Sequence, residues 1–72
     1  MSTIRRIDPA RNMLRFYKLA IQGDLLSGWS VVREWGRIGR AGRMRVDSHA
    51  DLADAETAAQ RIETQKRRKG YR

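Results

Sequence analysis

Near Asp54 the spacing of apolar residues changes, and that change limits the folds open to the chain. Before it, Tyr17, Leu19 and Ile21 fall on one side of an extended stretch, with Phe16, Lys18 and Ala20 on the other. Trp29, Val31, Arg33 and Trp35 share one side of a second stretch. Successive side chains of a strand point to opposite faces, so period two marks strands. After Asp54, Ala55, Ala58, Ala59 and Ile62 recur at spacings of three and four, the period of one helix face. Strands followed by a helix with a single apolar stripe predict an α+β fold. The expected architecture is a small antiparallel sheet of three to five strands in meander order, with one C-terminal α-helix packed on one face.

Residues 1–12 read as a short edge strand closed by a turn at Asp8-Pro9, and residues 13–21 as a strand rich in β-formers. Residues 22–28 hold Gly23-Asp24 and Ser27-Gly28, a loop of hairpin length, and residues 29–35 form the second clear strand. Gly36, Gly39 and Gly42 then punctuate the chain as structural turn residues. They predict an irregular strand end and a tight turn around Arg40-Ala41-Gly42. Residues 42–48 return as a strand, with Met44 and Val46 expected inward and Arg43, Arg45 and Asp47 outward. A helix is expected over residues 55–69, with Asp54 as N-cap and Glu56 in the first turn. Leu52 would fasten its entry to the core, and Gly70 would stop it.

Seventy-two residues make one small domain, residues 1–72, and a core of that size supplies only about 3–5 kcal/mol. Cysteine is absent and His49 is the one histidine, so disulfides and Cys/His zinc sites are excluded, and neither a metal nor a cofactor is expected. No apolar run approaches the roughly 20 residues that span a bilayer, so no membrane partner is expected and the chain reads as soluble and cytoplasmic. Sixteen basic residues against eight acidic ones give a net charge of +8. Residues 33–45 carry +4 and residues 61–72 carry +5, separated by an acidic segment holding Asp47, Asp51, Asp54 and Glu56. A one-sided basic surface follows if the basic segments meet in space.

Catalysis finds little support. Asp47-Ser48-His49 are consecutive, and three consecutive residues cannot converge on one substrate as a triad does; His49 reads as a solvent-exposed loop residue. No carboxylate spacing suggests paired acid/base work. The glycine run lacks the Lys-Ser/Thr ending of a phosphate loop and does not open into a helix. Its neighbourhood nevertheless suits binding: residues 35–45 hold an indole, three glycines and four arginines. They offer a flat ring for stacking, bare backbone for close approach and planar guanidinium forks for phosphates. Patterning leaves Trp35 evenly placed between core and functional surface, because a tryptophan in a strand of a small domain is usually core.

Phe16-Tyr17-Lys18-Leu19, then Trp35-Gly36-Arg37-Ile38-Gly39 one hairpin later, then residues 42–46, an alanine-rich helix and Lys69-Gly70-Tyr71 closely resemble the WGR domain. That module occurs in poly(ADP-ribose) polymerases and in bacterial stand-alone or molybdate-regulator-like proteins. The resemblance covers about residues 4–71 and implies a sheet with a helix on one side. It also implies that Trp35 stacks on a nucleotide at a DNA break, and that Arg37 contacts phosphate or couples to a neighbouring domain. The seventy-two residues hold no transferase domain, so catalytic activity is not expected to follow from the fold. The function expected is a non-catalytic nucleic-acid-binding module, favouring DNA over RNA at ends, nicks or single strands, with little sequence specificity. Trp35 would stack, Arg33, Arg37, Arg40, Arg43 and Arg45 would surround it, and Lys66, Arg67, Arg68 and Lys69 would add a second electrostatic contact. The alternative is a protein-interaction module docking on an acidic partner.

Overall fold

In a computed structural model, residues 2–24 and 28–72 are described. The elements run β1 (Ser2–Asp8), a 3-10 turn (Pro9–Arg11), β2 (Met13–Gly23), β3 (Trp29–Arg37), β4 (Arg43–His49) and α1 (Leu52–Arg68). The strands form one antiparallel sheet in the order β1-β2-β3-β4, the expected meander. β2 runs two residues further than expected, because Gln22 and Gly23 pair with Ser30 and Trp29; Asp24 and Gly28 belong to the expected β2–β3 loop, and Ser27 lies outside the described residues.

α1 packs on the face that carries Ile4, Tyr17, Leu19 and Val31, and Ala55 and Tyr71 close the core from the other side. Val31 is 1% exposed and Ala55 0%, so the helix backbone lies close over β3 where alanine leaves room. Burying a side chain such as Leu19 or Val31 contributes about 1.5–3 kcal/mol, and few others are available to a domain this small. Ile21, Trp29, Trp35, Ala58, Ala59 and Ile62 pack around this centre and stay partly exposed.

The helix begins one turn earlier than its apolar stripe suggests. Asp51, in extended conformation, is the N-cap: its Oδ1 accepts from the Asp54 N–H at 2.9 Å. Asp54 instead sits in the first turn, where its charge suits the dipole. Leu52 is therefore the first helical residue and is 38% exposed, so it does not fasten the entry to the core. At the other end Gly70 adopts a φ of 99° and the Tyr71 N–H donates to the Lys66 carbonyl at 3.1 Å. The reversal drops Tyr71 into the core and sets Arg72 against β1, with Arg5 N–H to Arg72 O at 2.8 Å and Arg72 N–H to Arg5 O at 2.7 Å.

Four further expectations are corrected. The β3–β4 turn falls at Ile38-Gly39, not around Arg40-Ala41-Gly42: the Arg40 N–H donates to the Arg37 carbonyl at 3.1 Å and Gly39 takes a φ of 87°. The β3 ladder stays regular to Arg37, which pairs with Arg15, so the strand end is not irregular. β4 presents the opposite face from that expected: Arg43, Arg45, Asp47 and His49 pair with Trp35, Arg33, Val31 and Trp29 and lie on the helix side, while Met44 and Val46 are 63% and 54% exposed on the open side. The register forces this parity, because paired residues of an antiparallel ladder share a face. The same register makes His49 the half-buried last residue of β4, not a loop residue, and turns Ser48 to the opposite face from Asp47 and His49. Among the described residues no helix is long and apolar enough to cross a membrane.

Candidate nucleic-acid interface

Successive rungs of the ladder place the side chains of the helix-bearing face. One rung holds Leu19, Arg33 and Arg45; the next holds Ile4, Tyr17, Trp35 and Arg43; the next holds Arg6, Arg15 and Arg37. Side chains directly opposite on neighbouring strands have Cβ atoms about 4.5–5.5 Å apart, so these rungs form a continuous surface. α1 starts just after the His49 end of β4, its last turn sets Lys66 over Tyr17 of β2, and Arg72 beyond it pairs with Arg5 of β1, so the helix crosses the sheet on a diagonal. The corner it leaves beyond the core holds Trp35, Arg15, Arg37 and Arg43.

Trp35 is half-buried: it packs against the core cluster and keeps part of its surface exposed. Its ring stacks on Tyr17 with centroids 5.8 Å apart and planes 16° from parallel. Tyr17 in turn meets Tyr71 edge-on at 6.2 Å. Lys66 Nζ sits 4.7 Å from the Tyr17 centroid and 5.9 Å from that of Tyr71. A cation over these rings is held by their negative faces, and the stack fixes the indole in one orientation. Burial, then Lys69, then Arg33 lower the pKa of Lys66 from its ordinary 10.5.

Backbone packing beneath the indole explains two of the glycines. A Cβ on Gly36 would come within 2.9 Å of the Gly42 Cα, and a Cβ on Gly42 would overlap the Trp35 carbonyl oxygen. The backbone at Gly42 therefore lies against that of Trp35 and Gly36 where a side chain would not fit.

The arginines divide. Arg37 donates from Nη1 and Nη2 to the carbonyl and Oδ1 of Asn12 at 3.4 and 3.3 Å, long contacts that leave its remaining donors available. Arg40 and Arg43 are exposed. Arg33 and Arg45 both engage Asp47, through Arg33 Nη2 at 3.1 Å and Arg45 Nε at 3.2 Å, so one carboxylate holds two guanidiniums. Arg33 Nε is buried with no hydrogen-bond partner. Arg67 pairs with Glu63 at 3.2 Å, and Arg68 lines the outer side of the helix with Thr57 and Arg61. The helix end thus brings Lys66 to the Tyr17–Trp35 stack and leaves Arg68 facing away from it.

Arg6, Arg15 and Tyr17 complete the corner, and sequence reasoning did not single them out for it. The +4 charge of residues 1–18 was the available signal, but only the ladder sets Arg6 opposite Arg15 and Arg15 opposite Arg37. Among the described residues no group of three or more His, Asp or Glu side chains could hold a metal ion.

The family model of the WGR domain matches residues 1–72, the whole sequence. The chain belongs to the WGR domain family. WGR domains are non-catalytic, nucleic-acid-binding modules. The WGR chain is also similar to the uncharacterized protein y4dW of Sinorhizobium fredii (strain NBRC 101917 / NGR234), 39% identical over 69 residues. That match covers 96% of this WGR chain and 34% of the relative, so the chain spans about a third of the relative's length. No solved structure matches the chain.

Proposed function

We propose that this WGR domain binds DNA ends, nicks or single strands with little sequence specificity, through Trp35 stacking and an arginine surface that spans three hairpin-linked strands and the start of β4. One observation carries the reading. Trp35 is braced on one ring face by Tyr17 and lies on the same sheet face as Arg6, Arg15, Arg37 and Arg43. A braced indole offers a base or sugar a ring that loses little freedom on binding, and the arginines around it suit a phosphate backbone. Contacts of both kinds ignore base edges, which accounts for the low specificity.

A titration against blunt duplex, nicked duplex and single strands at several salt concentrations tests the reading. Neutralising about four phosphates on duplex gives a slope of log K against log salt of roughly −3.6. The test also includes a variant with Trp29→Phe, in which quenching of the remaining indole reports Trp35: bound DNA should shield it from a soluble quencher. Absence of binding at low salt defeats the proposal. Retention of an acidic protein from a pull-down after nuclease treatment, with no DNA affinity, would put the protein-interaction reading in its place.

A further inference from the structure

The two edges of the sheet are finished differently. On the β1 edge, Arg72 pairs with Arg5 through two short backbone hydrogen bonds and occupies part of the edge. On the β4 edge, among the described residues, no backbone group from 43 to 49 bonds to anything beyond the β3 ladder. An open edge of seven residues is a template for another strand, and proteins usually blunt such an edge with charged side chains, a proline or a bulge. β4 has neither proline nor bulge, and its charges, Arg43, Arg45 and Asp47 in the sequence Arg-Met-Arg-Val-Asp-Ser-His, are of both signs, so a second copy of the strand can match them.

From this edge we infer that the domain forms a homodimer by antiparallel pairing of β4 with β4 of a second copy, about a two-fold axis through Val46. The order of residues on the strand selects the register. With Val46 opposite its own copy, Arg45 stands opposite the second copy's Asp47 and Asp47 opposite the second copy's Arg45. Met44 meets Ser48, and Arg43 meets His49. Shifting the axis to Arg45 would put two arginines face to face, which costs free energy. The axis at Val46 gives two opposite-charge pairs on the helix side and an apolar pair on the open side, where Val46 and Met44 are already 54% and 63% exposed. An isologous contact of this kind closes on itself and leaves no free β4 edge. The product is an eight-stranded sheet with both helices, and both Trp35 corners, on one face.

The chain has no cysteine, so a single introduced thiol reads the register directly. Residues paired in an antiparallel ladder have Cα atoms about 4.5–5.5 Å apart, within the range a disulfide bridges. Val46→Cys should therefore give a covalent dimer in oxidised glutathione. Met44→Cys should not, because the two copies of residue 44 are offset by four positions, about 13 Å. Sedimentation equilibrium of nuclease-treated protein should show the mass rising to that of a dimer with concentration. Val46→Lys should abolish the rise without unfolding the domain, since Val46 is exposed on the monomer. Arg45→Glu should weaken association at least tenfold, and R45E with D47R should recover it, because the double exchange restores both opposite-charge pairs. A wild-type domain that stays monomeric at every concentration overturns the dimer. Equal cross-linking by Met44→Cys, or an unchanged association constant in Arg45→Glu, overturns the register. None of these readouts depends on nucleic acid.

Discussion

The diagonal path of α1 leaves two corners of one sheet face uncovered. Beyond the helix's C-terminal half lies Trp35, with Arg15, Arg37 and Arg43 around it. Beside its N-terminal half lies a groove between β2 and the helix, lined by Leu19, Ile21, Ala59, Glu56 and Glu63. Both corners border the same core and have apolar floors. They differ in rim charge and in the ring that only one of them presents. An anion would meet guanidiniums at the first and carboxylates at the second, so rim charge and the indole together distinguish two openings on one face.

The comparison fails if both corners matter equally to binding. The largest expected effect is that of Trp35→Ala, a loss of about 1–3 kcal/mol of DNA affinity, roughly fivefold to 150-fold. Ile21→Ala in the acidic corner should lower the thermal midpoint and leave affinity unchanged. Equal affinity losses in the two variants would remove the distinction. Next comes Gly42→Ala, whose added methyl must displace the Trp35 carbonyl. It should cost on the order of 1–3 kcal/mol of stability in a urea titration, as overpacking does, and weaken binding with it.

A smaller effect sharpens the boundary of the basic corner. Arg15→Gln with Arg37→Gln should flatten the salt slope by about 1.8, since each neutralised phosphate contributes about 0.9. Arg61→Gln with Arg68→Gln, on the outer side of the helix, should leave the slope unchanged.

The smallest effect concerns Lys66. Its pKa is lower in the folded protein than its ordinary 10.5, so the unfolded chain binds more protons in that window, and stability from this group rises as pH climbs through the folded value toward 10.5. Below the folded value the charged amine carries its desolvation cost in full. Lys66→Met should remove that rise from the pH dependence of the urea midpoint. An identical rise in the variant would locate its source elsewhere.

Much of the fold was legible because its signals are local. Tyr17, Leu19 and Ile21 announce a strand by period two, Ala55, Ala58, Ala59 and Ile62 announce a helix by period three and four, and Gly70 marks the stop. β4 shows where local reading fails. Its alternation was real, but hydrophobicity pointed Met44 and Val46 inward, and the ladder set by the Ile38-Gly39 turn points them out. An edge strand only partly under a helix does not need its apolar side chains buried, and Arg33 and Arg45 could share Asp47 on the helix side instead. At the candidate site, Trp35, Arg37 and Arg43 were legible as one run, whereas Arg33 and Arg45 proved to be engaged by Asp47, and Arg68 faces away.

By itself the sequence determined the element types, their order, the net charge and the concentration of arginine and glycine around Trp35, since composition and period are properties of neighbours along the chain. Only the tertiary structure decided that Tyr17 braces Trp35, that Arg6 and Arg15 extend the arginine surface, and that Lys66 reaches the stack while Arg68 does not. Those contacts join residues from different strands and from the helix. They depend on ladder register and on the path of α1, and a spacing of two or of three and four fixes neither.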